Sequence, residues 1–213
     1  MDVIPVSYKT VKKEASASFA EKKSVFVCTA RPVFDEASAL EFIASIKKNH
    51  GDASHCAYAY IIQNTNAVRF SDDGEPSSTA GAPILSVLQK SELTNVAAVV
   101  ARYFGGILLG AGGLVRAYSQ AARLAIKEAG SALYENFTEF EVLCGYADYD
   151  RLSKFAQTEK IRTDGAVFEE KVALCFAARS ESFERLKAAI IDLSLGKAVI
   201  KKTGESFFSE DLC

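Results

Sequence analysis

A glycine-rich stretch, ARYFGGILLGAGGLVRAYSQAA, limits the folds open to this chain more than any other segment. It covers residues 101–122 and directly follows the apolar run 96–101. A continuous apolar run of that kind is typical of a strand covered on both faces. The five glycines between Arg102 and Arg116 allow tight turns and leave free backbone N–H groups ahead of the next helix. The stretch therefore predicts a buried strand, a glycine turn and a helix in succession.

Two interpretations of the glycine turn stay open from the residues alone. In one, backbone amides and the positive helix end attract an anion, with arginines on both sides. In the other, the glycines only allow close backbone packing, since their spacing matches neither the P-loop nor the dinucleotide fingerprint. Residues 94–127 carry four basic side chains and no acid in a chain of net charge −2, which favours the anion site. Its candidate residues are Arg102, Gly105, Gly106, Gly110, Gly112, Gly113, Arg116, Arg123 and Lys127.

The helix predicted after the glycines has two unlike faces. Apolar residues recur at helical spacing, whereas polar and basic residues follow the same spacing on roughly the opposite side. The apolar face consists of Leu114, Tyr118, Ala121 and Ala125, and the polar face of Arg116, Gln120, Arg123 and Lys127. We expect the first face in the core and the second at a basic surface.

An acidic segment, FSDDGEPSSTAG, precedes this region. Asp72, Asp73 and Glu75 supply hard oxygen ligands that suit magnesium or a polar substrate, but the same residues are typical of a solvated turn, the interpretation we favour. His55 is a further candidate polar group for a cleft, although a hydrogen-bonded structural histidine is the commoner case. Its neighbour Cys56 points to the opposite strand face, so the two do not form a catalytic dyad.

Composition indicates a soluble globular protein, with 49% hydrophobic and 24% charged residues. The sequence begins without a signal-peptide pattern and contains no membrane-spanning apolar run, so we expect a cytoplasmic protein without membrane contact. Five dispersed cysteines without a C-x-x-C pair predict free thiols, and we predict no metal site and no cofactor. The net charge of −2 also means that any nucleic-acid contact is local.

Element order predicts two domains with a boundary near residue 132. After residues 1–132, the pattern of residues 133–205 runs β-α-β-β-α-β, which is typical of a ferredoxin-like α+β domain with two helices on one face of an antiparallel sheet. Residues 206–213 are predicted to form a terminal tail, either lightly packed or a docking segment.

Three segments, SHCAYAY, FSDDGEPSSTAGAPIL and VVARYFGGILLGAGGLVRAY, resemble the YigZ/IMPACT family in its bacterial two-domain form. The similarity covers nearly all of residues 6–130, and Tyr103 and His55 also fit the family's motifs. The sequence departs from the family's usual pattern at Val25, Ser78 and Ala82, where arginine, glycine and lysine are common. The resemblance implies an N-terminal domain like the second domain of a small-subunit ribosomal protein (left-handed βαβ type). It also implies a C-terminal domain like the fifth domain of elongation factor G.

The same resemblance implies a role near translation, through RNA, the ribosome or a translation-related regulatory protein. Eukaryotic relatives inhibit the general amino-acid control kinase by competing for its activator, and no established enzymatic activity follows. Our leading hypothesis is thus a non-catalytic module that binds RNA or a ribosomal partner through the basic glycine-rich site. The alternative is an enzyme or sensor that holds a small phosphorylated ligand between the glycine turn and the acidic loop, with a bridging divalent cation.

Overall fold

A computed structural model describes residues 7–209 of the 213-residue chain. The backbone divides into two units, one of which covers Tyr8–Leu133 while the other contains the chain from Tyr134 onward. The protein is of the mixed α+β class, and its strands pair in antiparallel fashion within two five-stranded sheets.

The first unit is built on a sheet of strand order β2-β3-β6-β4-β5. A short strand, β1, lies outside this sheet, and β7 (Ser131–Cys144) begins at the end of the unit. In chain order the elements of the unit are β1 (Tyr8–Val11), β2 (Ala15–Glu21), β3 (Ser24–Pro32), α1 (Glu36–Asn49), β4 (His55–Ile62), β5 (Ala67–Ser71), α2 (Gly81–Lys90), β6 (Val96–Tyr103) and α3 (Ala111–Ala129).

The apolar run before the glycines forms β6, the central strand of this sheet. Successive side chains of a strand point to opposite faces. Ala98 and Val100 accordingly pack with α2 and α3, whereas Ala97, Val99 and Ala101 pack with α1. All five are fully buried, so the prediction of a strand covered on both faces is confirmed.

Helix α3 lies on the β2-β3-β6 part of the sheet, and its two faces are those expected from the spacing. The apolar residues Leu114, Tyr118, Ala121 and Ala125 are buried. The polar residues Arg116, Gln120, Arg123 and Lys127 are all exposed. Small alanines on the buried face allow the helix to approach the sheet closely, so the basic face is held at the surface by a tightly packed scaffold.

The second unit has the predicted element order β-α-β-β-α-β. Its strands are ordered β10-β7-β9-β8. Leu152, Leu186 and Ile190 of the two helices pack against Phe140 and Leu174 of the sheet. After β7, the elements are α4 (Tyr146–Thr158), β8 (Arg162–Phe168), β9 (Val172–Arg179), α5 (Phe183–Leu193) and β10 (Val199–Ser209).

The last strand extends into the predicted tail. Residues 206–209 continue β10 and pair with β7, where Phe208 lies opposite Glu135 and its ring contacts Phe137 edge to face at 5.1 Å between centroids. The remainder of that predicted segment, residues 210–213, lies outside the described residues.

Candidate functional site

The acidic loop between β5 and α2 is folded around its own carboxylates. Asp72 accepts hydrogen bonds from the backbone amides of Ser78, Ala80 and Gly81 at 2.8–2.9 Å. Two of these amides belong to the start of α2, whose own N-cap residue, Ala80, makes no side-chain cap. Asp72 therefore caps this helix from eight residues upstream, and its negative charge suits the positive helix end.

The environment of Asp72 favours its ionised form. Partial burial opposes ionisation, but the three amide hydrogen bonds outweigh it and lower the pKa of the carboxyl below its ordinary value of 3.8. The Asp72 carboxylate is thus committed to the fold of the loop.

Asp73 ties the same loop to β4 and α1. Its carboxylate accepts a hydrogen bond from the Cys56 amide at 2.7 Å and forms an ion pair with the Lys47 ammonium group. Its carbonyl oxygen lies 2.8 Å from Nδ1 of His55, which must carry the proton because a carbonyl only accepts. His55, the predicted cleft residue, is therefore one of the groups that hold the acidic loop in place.

Glu75 and Arg102 form a buried ion pair, with Oε1 of Glu75 and Nη1 of Arg102 2.6 Å apart. The hydroxyl of Tyr118 on α3 donates to the same carboxylate oxygen at 2.7 Å. Burial, reinforced by the hydrogen bond to Glu75, raises the pKa of Tyr118 above its ordinary range. This triad links the acidic loop, the central strand and α3.

The triad changes the role that the sequence analysis gives to Arg102. Arg102 is only 5% exposed, and its guanidinium lies near the rings of Phe26 and Phe104 and against the carboxylate of Glu75. Because this guanidinium is buried and already paired with Glu75, it is not a surface charge available to bind an anion. We assign Arg102 a structural role in place of the expected ligand contact.

Tyr103 projects toward the opposite face of β6 from Arg102. Its hydroxyl lies 2.7 Å from Nδ1 of His50 and donates to Asp52 at 3.4 Å. Burial and the neighbouring Asp52 raise the pKa of Tyr103. These contacts join the end of β6 to the end of α1, so Tyr103 does not share a surface with the basic face of α3.

Two glycines have a clear steric purpose. A Cβ atom on Gly105 would lie 2.0 Å from the carbonyl oxygen of Lys23, so only glycine lets the β6–α3 segment pass the β2–β3 turn. Gly110 has φ of 70° and ends the turn just before α3 begins. Gly106, also at positive φ, has open space around it, and Gly112 lies beside the Arg116 side chain.

A groove of about 350 Å³ lies between α3 and the β2–β3 turn. We call it the first groove. Arg116, Gln120 and Arg123 line it from α3, and Lys22 lines it from the turn. Within residues 7–209, neither arginine nor Lys22 has an ion-pair partner. The remaining lining residues are Phe19, Glu21, Leu109, Gly113 and Ala117.

The structure therefore brings together only part of the predicted anion site. Arg116, Arg123 and Gly113 share the first groove, whereas Arg102 and Tyr103 lie elsewhere and Lys127, although exposed, is not among the lining residues. Lys22 and Gln120 also line the groove, although the sequence pattern predicts neither of them as a site residue. Gln120 belongs to the predicted polar face, but the approach of Lys22 depends on a contact between distant parts of the chain.

No cluster of three or more His, Cys, Asp or Glu side chains within residues 7–209 is placed to hold a metal ion. Asp72, Asp73 and Glu75, the expected hard ligands, each bind protein groups. In the same part of the chain, the helices are too short or too polar to cross a membrane.

Comparison with known sequences places both units in described families. The profile of the Impact N-terminal domain matches residues 22–126, and a profile described as a domain of unknown function, DUF1949, matches residues 142–197. The first therefore covers β3–β6, the glycine turn and nearly all of α3.

Individual relatives extend the similarity. An IMPACT family member of Haemophilus influenzae is 34% identical over 183 residues, which cover 84% of this chain and 89% of that protein. IMPACT family member YvyE of Bacillus subtilis is 47% identical over 125 residues, or 58% of each chain. A crystal structure of a hypothetical protein aligns with a TM-score of 0.61 and 28% identity over 94% of this chain and 98% of its own.

We expect Glu75→Gln to destabilise the protein by about 3 kcal/mol or more, because it leaves the Arg102 guanidinium buried without a counter-ion. Urea unfolding followed by circular dichroism measures this loss. Glu184→Gln, which removes the acid of the exposed ion pair with Lys187, is the matched control and should cost less than about 1 kcal/mol. Equal effects of the two variants would contradict a structural role for the buried pair.

The Asp72 cap predicts a pH-dependent stability difference between wild type and Asp72→Asn. Folding lowers the pKa of this carboxyl below its ordinary value of 3.8. Its stabilising effect is therefore fully present above that pH and is lost as the pH falls through the lower pKa of the folded state. Asp72→Asn should thus lower the free energy of unfolding at neutral pH by about 1 kcal/mol or more, and the difference should shrink in acid. A difference that is constant across the pH series would exclude this capping account.

Proposed function

The chain belongs to the IMPACT family, and on that premise we propose that it is a non-catalytic, translation-related regulator that binds RNA or the ribosome through the first groove. One observation carries the proposal: Lys22, Arg116 and Arg123 line this groove without ion-pair partners among residues 7–209. Unpaired cations in a groove attract phosphate groups, whereas the one carboxylate there, Glu21, compensates only part of their charge.

The beginning of α3 supplies a second source of attraction for phosphate. The helix starts at Ala111 after Gly110, and no side chain caps it. Its first amides therefore lack intrahelical partners, and Gly113 of this first turn lines the groove. Amides and guanidinium groups are complementary donors, because amides fix the position of a phosphate and arginines bind it through charge-assisted hydrogen bonds.

The β2–β3 turn brings Lys22 to the groove in a demanding conformation. Lys22 and Lys23 have φ of 46° and 66°, the left-handed values that a two-residue hairpin turn requires. Asn-Gly satisfies such a turn at lower conformational cost. Lysine at these positions gives the turn two positive charges, which supports a binding role for this edge of the groove.

The proposed fold types agree with a role near ribosomal RNA. We assign the second unit to the ferredoxin-like type, a proposal supported by its strand order β10-β7-β9-β8 and by helices on one sheet face. For the first unit we propose the fold of the second domain of a small-subunit ribosomal protein. The proposal places this regulator in the cytoplasm, where translation occurs.

A small phosphorylated ligand is the second candidate for the same groove, since about 350 Å³ is within the range of small-molecule sites. The acidic loop gives this candidate no support, because its carboxylates already bind backbone amides, Lys47 and Arg102. A thermal-shift screen of nucleotides and sugar phosphates distinguishes the two. A hit that raises the melting temperature and that RNA does not displace would favour the small ligand.

We expect Arg116→Gln combined with Arg123→Gln to weaken binding of a short mixed-sequence RNA about tenfold or more, because two phosphate contacts are lost. The slope of log affinity against log salt should also become less steep by about one to two. Fluorescence anisotropy over a salt series measures both quantities. Lys127→Gln, on the same helix face but outside the groove, should have little effect, and an equal loss in this control would contradict binding in the groove.

Replacing the turn by Lys22→Asn and Lys23→Gly should separate stability from binding. The free energy of unfolding should rise by about 1 kcal/mol, because Asn-Gly suits the left-handed turn. RNA affinity should fall, because Lys22 lines the groove. Lys23→Gly alone is the control, since Lys23 is not a lining residue, and it should raise stability with RNA affinity nearly unchanged. If the double variant bound RNA as wild type does, Lys22 would have no role.

A further inference from the structure

A second groove, of about 640 Å³, lies entirely within the second unit. Four cationic side chains line it: Lys160, Arg162, Arg179 and Arg185. They come from the α4–β8 connection, the beginning of β8, the end of β9 and the first half of α5. Glu159 is the one carboxylate among the residues that line this groove. The sequence patterns predict no binding residue in this part of the chain.

In the ion pairs of two of these arginines, the positive side chain is the more exposed member. Arg179 binds Glu135 and Arg185 binds Glu159, and in each pair the arginine side chain is more exposed than its acid, at 49% against 18% and 64% against 28%. Exposed pairs of this kind contribute little to stability. Glu135, moreover, does not line the groove, so the guanidinium of Arg179 is the member of its pair that a ligand in the groove would meet.

The contacts with acids also leave hydrogen-bond donors unused. A guanidinium carries five N–H donors. Arg162 uses Nε for Asp164, and Arg185 uses one terminal nitrogen for Glu159. Other nitrogens of each group are available for phosphate oxygens, and Lys160 has no ion pair within residues 7–209. The groove therefore offers donors from four cations.

Arg162 is further oriented by an aromatic ring. Its guanidinium carbon lies 4.0 Å from the centroid of Phe208, the residue that β10 holds beside Phe137. Stacking on the ring limits the orientations of the planar guanidinium, so less side-chain entropy is lost when it binds a ligand. Three arginines and one lysine form a set suited to the fork-like recognition of phosphate.

We propose that this second groove is an independent phosphate-binding site that takes the backbone of RNA. The proposal rests on the proposed function, because it assigns a second contact region to the same class of ligand. It adds that the second unit takes part in binding through its own groove, with Lys160 and Arg185 as contacts and with Arg162 oriented by Phe208.

The test compares the full chain with its Lys160→Gln and Arg185→Gln double variant. Anisotropy with the same short mixed-sequence RNA should show an affinity loss of about tenfold and a salt dependence less steep by about one to two. The matched control is Lys171→Gln with Lys197→Gln, which removes the same charge from exposed positions of the same unit outside the groove. Thermal melting verifies folding, and Lys160→Gln alone, which breaks no described ion pair, is the substitute if the double variant does not fold.

The outcomes separate this inference from the proposed function. If Arg116→Gln with Arg123→Gln weakens RNA binding while the second-groove variant matches its control, RNA binding in the second groove is excluded and the proposed function stands. If only the second-groove variant loses affinity for RNA, RNA binding in the first groove is excluded and RNA binding in the second groove is supported. A second-groove variant that loses binding to polyglutamate but keeps its affinity for RNA would assign the groove to an acidic protein and overturn the inference.

Discussion

The buried ion pair between Arg102 and Glu75, completed by the hydroxyl of Tyr118, is the interaction on which the rest of the first unit depends. It connects three elements that are distant in sequence: the acidic loop, the central strand β6 and helix α3. Because each charge is removed from water, either partner alone would be strongly unfavourable, so the three elements must assemble together. The same pair fixes the position of α3 and with it the surface on which Arg116 and Arg123 lie.

In this arrangement, the residues of the acidic loop and those around the first groove have different roles. The acidic loop is structural: Asp72 caps α2, Asp73 binds β4 and α1, and Glu75 pairs with Arg102, so each carboxylate already binds protein groups. The glycine turn, in contrast, contributes both to the fold and to the first groove. Gly105 permits the close passage beside Lys23, which lies next to the groove residue Lys22, and Gly113 lines the same groove. A ligand is therefore expected at the edge of α3 and the hairpin, not between the glycines and the acids.

Sequence patterns predicted the features that depend on local periodicity. The continuous apolar run of β6 indicated burial on both faces, and the spacing along α3 separated the buried Tyr118 from the exposed Arg123. Features that depend on contacts across the chain could not be obtained in this way. The partner of Arg102 is 27 residues away, and nothing local distinguishes a buried arginine from a ligand-binding one. Lys22 approaches α3 only because the sheet places the β2–β3 turn beside it.

Backbone amide hydrogen–deuterium exchange of the full chain, with and without RNA, is the most direct test of the division between a structural acidic loop and a ligand-binding groove. Bound RNA should slow exchange in residues 19–22 and 109–123, around the first groove, and leave residues 72–81 at the rates of the free protein. Protection of residues 72–81 with unchanged exchange along the groove would contradict the account, because the acidic loop would then be the surface that meets the ligand.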